Sequence, residues 1–228
     1  MKRHDAAVCD GPLSAAGRTD ANTVDKGIPS GKLQSMNGMH TPMNFCSLCG
    51  AEVKLAVPDG DTFARHVCAQ CGTIHYQNPR MVIGCIAEWE GRVLLCRRAI
   101  EPRLGLWTLP AGFMENSETT AAAAARETLE EACAEVEIGQ LFALVNVPHI
   151  HQVHMFYTAR LIDGRFGAGA ESLESRLFDE ADIPWTDMAF RSVSFALTAW
   201  LDDRRKGRFG LHSTDLFPPG SAPATPPG

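Results

Sequence analysis

Four cysteines in two short pairs constrain this chain more than any other feature. They stand in Cys46-Ser47-Leu48-Cys49-Gly50 and Cys68-Ala69-Gln70-Cys71-Gly72, with 18 residues between Cys49 and Cys68. Four thiolates satisfy a tetrahedral zinc ion, and the glycine after each second cysteine lets the backbone turn tightly around the sulfurs. Such a set leaves no open coordination position, so the Zn²⁺ it implies is structural. Binding worth roughly 10 kcal/mol or more would order a module too small to have a core of its own. The rival readings are a redox dithiol pair and a nucleic-acid-binding ribbon. The net charge of -6, with few basic residues nearby, counts against nucleic acid as a partner.

The remaining composition bounds the rest of the molecule. The chain has 228 residues, 45% of them hydrophobic, enough for a domain with a real core beside the cysteine module. No apolar run reaches about 18 residues, so no transmembrane helix is expected. Met1-Lys2-Arg3-His4-Asp5 leads into a polar stretch without a hydrophobic signal segment, so the expected location is cytoplasmic. Residues 1–42 read as a disordered leader, 43–78 as the zinc ribbon, 79–210 as the main domain and 211–228, rich in proline, as a flexible tail. Met81–Trp89 and Arg92–Cys96 read as a hairpin across Glu90-Gly91. Ser117 is a candidate cap for a helix through the Ala121–Ala125 run. Val136–Val147 and Val153–Ile162 read as strands and Arg191–Arg204 as a closing helix. This alternation predicts an α/β domain with helices on both faces of a mixed sheet.

Glu127, Glu130 and Glu131 stand at i, i+3 and i+4, on one helical face. Like charges at that spacing repel by roughly 0.2–0.5 kcal/mol per pair. A solvated acidic face tolerates that, but the same cluster also binds hard cations such as Mg²⁺ or Mn²⁺. Glu118 lies eight residues before Arg126, about two turns along the same helix, where the two can pair and orient the acidic face.

The spacing of Gly112, Glu118, Arg126, Glu127, Glu130 and Glu131 resembles the Nudix signature, G-x5-E-x7-R-E-U-x-E-E-x-G-U, with U aliphatic. Thr128 stands for the first aliphatic residue, Cys133 for the second glycine and Ala134 for the last aliphatic position. The resemblance implies a Nudix α/β/α sandwich with a mixed sheet, and hydrolysis of the pyrophosphate bond of a nucleotide derivative. It implies that Glu127, Glu130, Glu131 and the carbonyl of Ala111 hold Mg²⁺ or Mn²⁺. It gives Gly112, Glu118 and Arg126 structural roles. It also implies a further carboxylate, as ligand or general base, from a loop well after the signature; Glu171 and Glu174 are the candidates, with Glu174 slightly preferred.

The ribbon followed by His75-Tyr76-Gln77-Asn78-Pro79 is similar to the N-terminal arrangement of NADH-pyrophosphatase-related members. Their S-Q-P-W-P-F-P-x-S motif is absent; Leu141–His149 stands in its place. Arg97–Pro102, Leu106–Glu115 and Phe178–Trp185 are instead similar to the FAD/ADP-ribose diphosphatase group. That implies FAD, giving FMN and AMP, or ADP-ribose, giving AMP and ribose 5-phosphate, with NADH or another dinucleotide, or a non-catalytic sensor, as alternatives. Pro148 matches a proline of ADP-ribose-cleaving members. Related enzymes commonly dimerise, which leaves a homodimer open.

Arg97, Arg98 and Arg103 precede the signature and can neutralise a pyrophosphate; surface solvation is the bland alternative for each. His149 and His151 are expected to share a strand face with His154 opposite, which argues against a three-histidine metal site. Phe156 and Tyr157 read as core residues, or as stacking partners for a base or flavin.

Overall fold

The computed structural model describes residues 43–218, 220 and 221. The leader expected over 1–42 lies outside them.

The ribbon is a three-stranded antiparallel sheet: β1 (Val53–Ala56), β2 (Arg65–Cys68) and β3 (Ile74–His75), in that spatial order. One knuckle precedes β1, the other joins β2 to β3, and the two repeat one another. Gly50 N–H donates to the Cys46 carbonyl and Gly72 N–H to the Cys68 carbonyl, both at 2.9 Å. Both glycines have left-handed backbone, φ 76° and 74°, which a side chain would resist.

The main domain contains β4 (Arg80–Trp89), β5 (Arg92–Arg98), β6 (Trp107–Thr108), β7 (Ala111–Phe113), α1 (Thr120–Ala132), β8 (Val136–Val147), β9 (Gln152–Leu161), β10 (Ser172–Phe178), α2 (Arg191–Lys206) and β11 (His212–Asp215). The sheet runs β10-β5-β4-β9-β8-β11, with β6 pairing β5 and β7 pairing β4. It is mixed: β4 and β9 are parallel, as are β8 and β11, while β8/β9 and β5/β10 are antiparallel. The period-2 alternation of strand residues sorts two cores. Ile83, Cys85, Ala87, Leu94 and Cys96 pack with Ala123, Ala124 and Ala132 of α1. Ile86, Val93, Leu95, Phe142 and Phe156 pack with Val193, Leu197 and Trp200 of α2. Helices therefore cover both faces, and Phe156 is a core residue.

Three expectations are corrected. The helix cap is Thr119, whose side chain accepts from Ala122 N–H at 3.1 Å; Ser117 has φ 70°, outside the extended backbone an N-cap needs. His149 and His151 share no strand face. Pro148, which has no N–H to continue a ladder, follows the last residue of β8 and opens a 3₁₀ turn over Pro148–Ile150; His151 then has φ 53°. The stretch from 211, expected to be a tail, contains β11. Parallel pairing with β8, a His212–Asp203 contact at 2.8 Å and an Asn146–Asp215 hydrogen bond at 2.7 Å hold that strand.

Candidate active site

α1 projects its acidic face toward β7. Glu131 is 7% exposed, and its Oε2 accepts from the Ala111 N–H at 3.0 Å, which pins the helix to the strand. Glu127, also 7% exposed, rests on Gly112: a Cβ there would collide with the Glu127 carboxylate. Gly112 is thus required for close approach, since its backbone is not left-handed.

Arg126 organises the outer side of the cluster. Its Nε and Nη2 both donate to the Glu118 carboxylate, at 3.1 and 2.9 Å, and Nη2 also donates to the Phe113 carbonyl at 3.1 Å. Its Nη1 donates to Glu127 at 2.8 Å and to Glu130 at 3.1 Å. This two-pronged grip on Glu118 is strong and directional. It holds the Glu118 carboxyl below the usual range.

The buried carboxylates behave oppositely. Burial pushes Glu131 up to about 7, and the like charges of Glu127 and Glu171 add to that. Burial also raises Glu127, with Arg126 opposing and Glu130 and Glu171 reinforcing the shift. Two desolvated, mutually repelling carboxylates are stable as anions only beside added positive charge. This donor set fits a hard divalent cation.

Glu171 faces this cluster because the loop before β10 is fastened to the end of α1. Gly167 N–H donates to the Ala132 carbonyl at 2.7 Å and Gly169 N–H to the Glu131 carbonyl at 3.0 Å. A Cβ on Gly169 would run into the Glu130 carbonyl. Glu174, preferred in the sequence, instead stands opposite Arg97 in the β10–β5 register. The Gly167-Ala168-Gly169-Ala170 run was the available signal for this close approach.

The family comparisons agree with this arrangement. Residues 44–77 match the model described as Nudix N-terminal, and residues 78–201 match the NUDIX domain. The chain belongs to the Nudix hydrolase family. As an enzyme it is a Nudix pyrophosphohydrolase. It is 55% identical to a solved NUDIX hydrolase from Nitrosomonas europaea, over 76% of this chain and 100% of that one, with a TM-score of 0.73. An ADP-ribose pyrophosphatase from Methanocaldococcus jannaschii is 28% identical over 48% of this chain and 67% of its own length. A NAD-capped RNA hydrolase NudC from Photobacterium profundum is 28% identical over 67% of this chain, and the match spans 55% of that protein.

Two of the three departures in the Nudix signature, Thr128 and Cys133, have local compensation. Thr128 is fully buried; its hydroxyl donates to the Ala124 carbonyl at 2.7 Å and contacts Cys85 Sγ at 2.9 Å. Cys133 takes the left-handed position that ends α1, φ 45°, and its N–H donates to the Leu129 carbonyl at 3.0 Å.

The three arginines before the signature separate. Arg98 is the one whose charge reaches Glu131; its Nε donates to the Pro102 carbonyl at 2.8 Å, and its guanidinium lies 5.1 Å from the Phe190 ring centroid. Arg97 is exposed and donates to the Gly105 carbonyl at 2.9 Å. Arg103 is exposed in left-handed backbone. His154 is buried between Ser192 and Gln152, at 2.8 and 2.9 Å, and burial lowers it to about 4, so it is a neutral core residue at pH 7. Tyr157 is half-buried and hydrogen-bonds Thr120 at 2.6 Å.

In the Nudix ribbon the four sulfurs of Cys46, Cys49, Cys68 and Cys71 lie within 4.8 Å of one another. The Cys46–Cys71 and Cys49–Cys68 separations are 3.7 and 3.5 Å. A tetrahedron of zinc–sulfur bonds of about 2.3 Å has edges of about 3.8 Å, so the set fits zinc. His75 Nε2 lies 3.3 Å from Cys46 Sγ and Thr73 Oγ1 3.0 Å from Cys71 Sγ, placing polar partners around the sulfurs. Among the described residues no helix is long and apolar enough to cross a membrane.

Proposed function

We propose that the chain hydrolyses the pyrophosphate bond of ADP-ribose or FAD, releasing AMP. The observation that carries this reading is the pair of buried carboxylates, Glu127 and Glu131, seated on Gly112 and Ala111 with raised proton affinity. Glu127, Glu130, Glu131 and the Ala111 carbonyl would hold the Mg²⁺ or Mn²⁺. The bound ion would neutralise phosphate oxygens and acidify a water.

The protein's own groups do the remainder. Arg126, anchored on Glu118, keeps Glu127 and Glu130 turned toward the reacting centre. Glu171, facing Glu127 and Glu131, accepts the proton of the attacking water; its position favours it over Glu174. Arg98 offers positive charge on the substrate side of Glu131 and lowers the cost of bringing an anionic pyrophosphate to acidic walls. Water adds to one phosphorus, the bridging oxygen leaves with the other, and two phosphomonoesters result. The similarity to an ADP-ribose pyrophosphatase supports the ADP-ribose reading. The similarity to a NAD-capped RNA hydrolase keeps dinucleotides such as NADH in the same test.

Purified zinc-loaded protein is assayed with FAD, ADP-ribose and NADH in Mg²⁺ or Mn²⁺, reading AMP. Release from FAD or ADP-ribose at a higher kcat/KM than from NADH supports the assignment. Preference for NADH overturns the substrate class, and no turnover on any of the three overturns the reading itself.

A further inference from the structure

The ribbon and the main domain share a cleft of about 190 Å³. One wall is a row across the ribbon sheet, where Leu55 pairs with His66 and His66 with His75. Six polar side chains line the cleft: Arg65, His66, His75, Gln77, Asn78 and His151. No carboxylate lines it.

Arg65 is fixed in place. Its Nε donates to Asp61 at 2.9 Å, and its guanidinium lies 5.5 and 5.1 Å from the ring centroids of Phe63 and Tyr76. That consumes one of its donors. The two Nη groups, the His66 imidazole and the side-chain amides of Gln77 and Asn78 have no hydrogen-bond partner among the described residues. Arg65 and His66 are half-buried and Gln77 and Asn78 exposed, so the cleft presents donors whose only competitor for an incoming acceptor is water.

The cluster is unsuited to a cation. Its lining has no carboxylate to neutralise a cation, and the Arg65 guanidinium would repel one. An anion suits the donors, and a guanidinium held in one plane matches phosphate oxygens two at a time. The cleft is open to solvent and, at about 190 Å³, has room for a phosphate group, whether free or part of a larger molecule that extends beyond it. A chain of contacts through Arg80 and Phe113 links it to Arg126 beside the carboxylate cluster. Arg80 donates its N–H to the His151 carbonyl at 2.9 Å and lies 5.5 Å from the ring centroid of Phe113, whose carbonyl accepts from Arg126.

We propose that the ribbon–domain cleft is a second anion site that binds a phosphate group through Arg65, His66, Gln77 and Asn78. The phosphate is either a free ion or a phosphoryl group projecting from a nucleotide whose pyrophosphate occupies the carboxylate site.

Calorimetric titration of the zinc-loaded full chain with inorganic phosphate tests the site without any turnover. Saturable binding that Arg65→Ala and His66→Ala each weaken at least tenfold, with zinc retained, supports it. Asn78→Asp, which puts a carboxylate at an exposed position in the cleft, should weaken binding as much and decides the matter if Arg65→Ala loses zinc. The source of the phosphate follows from kcat/KM on ADP-ribose and on ADP-ribose 2′-phosphate. A tenfold loss confined to the second substrate in these variants identifies a projecting phosphoryl group. Unchanged turnover of both, with phosphate binding weakened, identifies the free ion. Absence of saturable phosphate binding to the wild type together with unchanged turnover of both substrates in the variants, or variants that bind phosphate as the wild type does, overturns the proposal.

Discussion

The molecule has two clusters of potential metal ligands, one of thiols and one of carboxylates, and they are built in opposite ways. The thiol cluster is made by local backbone geometry: two knuckles, each closed by a left-handed glycine, bring four sulfurs within 4.8 Å. The carboxylate cluster is assembled from distant pieces, α1, β7 and the loop before β10, with Arg126 bridging Glu127 and Glu130, Ala111 holding Glu131, and like charge opposing their approach. The first has geometry for one closed coordination shell. The second keeps Glu127 and Glu131 desolvated with raised proton affinity, a cost that a bound cation would relieve. The two clusters differ in how much of their electrostatics is settled by the protein alone.

The largest test of that contrast is Cys68→Ser. Loss of one thiolate should remove zinc worth roughly 10 kcal/mol to the ribbon. Zinc stoichiometry should fall from one to near zero and the amides of β1–β3 should lose exchange protection, while those of β4, β9 and α2 keep theirs. Retained zinc, or collapse of both regions together, would break the comparison.

A smaller effect separates the sites by pH. Glu131 has its proton affinity raised to about 7 from an unfolded value of 4.5. The folded state therefore holds more protons than the unfolded one between those values. The stability this contributes is present below about 4.5 and lost as pH rises through about 7. With zinc retained and no Mg²⁺ or Mn²⁺ added, Glu131→Gln should gain on the wild type by up to about 3 kcal/mol between pH 4.5 and pH 8. Chemical denaturation at the two pH values measures it, and added Mg²⁺ should shrink the difference. An unchanged difference would mean that Glu131 is not the desolvated group described above.

Legibility in the sequence followed the same divide. The cysteine knuckles and the Glu127–Glu130–Glu131 face are short-range patterns, and the turn and helix geometry that reads them is local. The hairpin, both helices and the mixed sheet followed from periodicity for the same reason. What the sequence left dim depends on long-range backbone contacts. The sequence offered Glu171 and Glu174 together; what brings the Glu171 loop against α1 is the contact made by Gly167 and Gly169, backbone to backbone with no side-chain pattern beyond its glycines. β11 was hidden because its polar sequence, His212-Ser213-Thr214-Asp215, docks by ladder hydrogen bonds and by Asp203 rather than by an apolar face. Ser117 was the cap expected from residue type; its left-handed backbone excludes it, and Thr119, with extended backbone, takes the role.

The central claim is that the buried carboxylates of α1 perform the chemistry while the thiol-bound zinc performs none. The most direct measurement is AMP release from ADP-ribose or FAD by zinc-loaded Glu131→Gln in saturating Mg²⁺. A metal-held charge worth several kcal/mol at the transition state predicts a fall in kcat of about a thousandfold. Zinc content should be unchanged and thermal stability equal or higher. Turnover within a few-fold of the wild type, in protein with full zinc, would contradict the account.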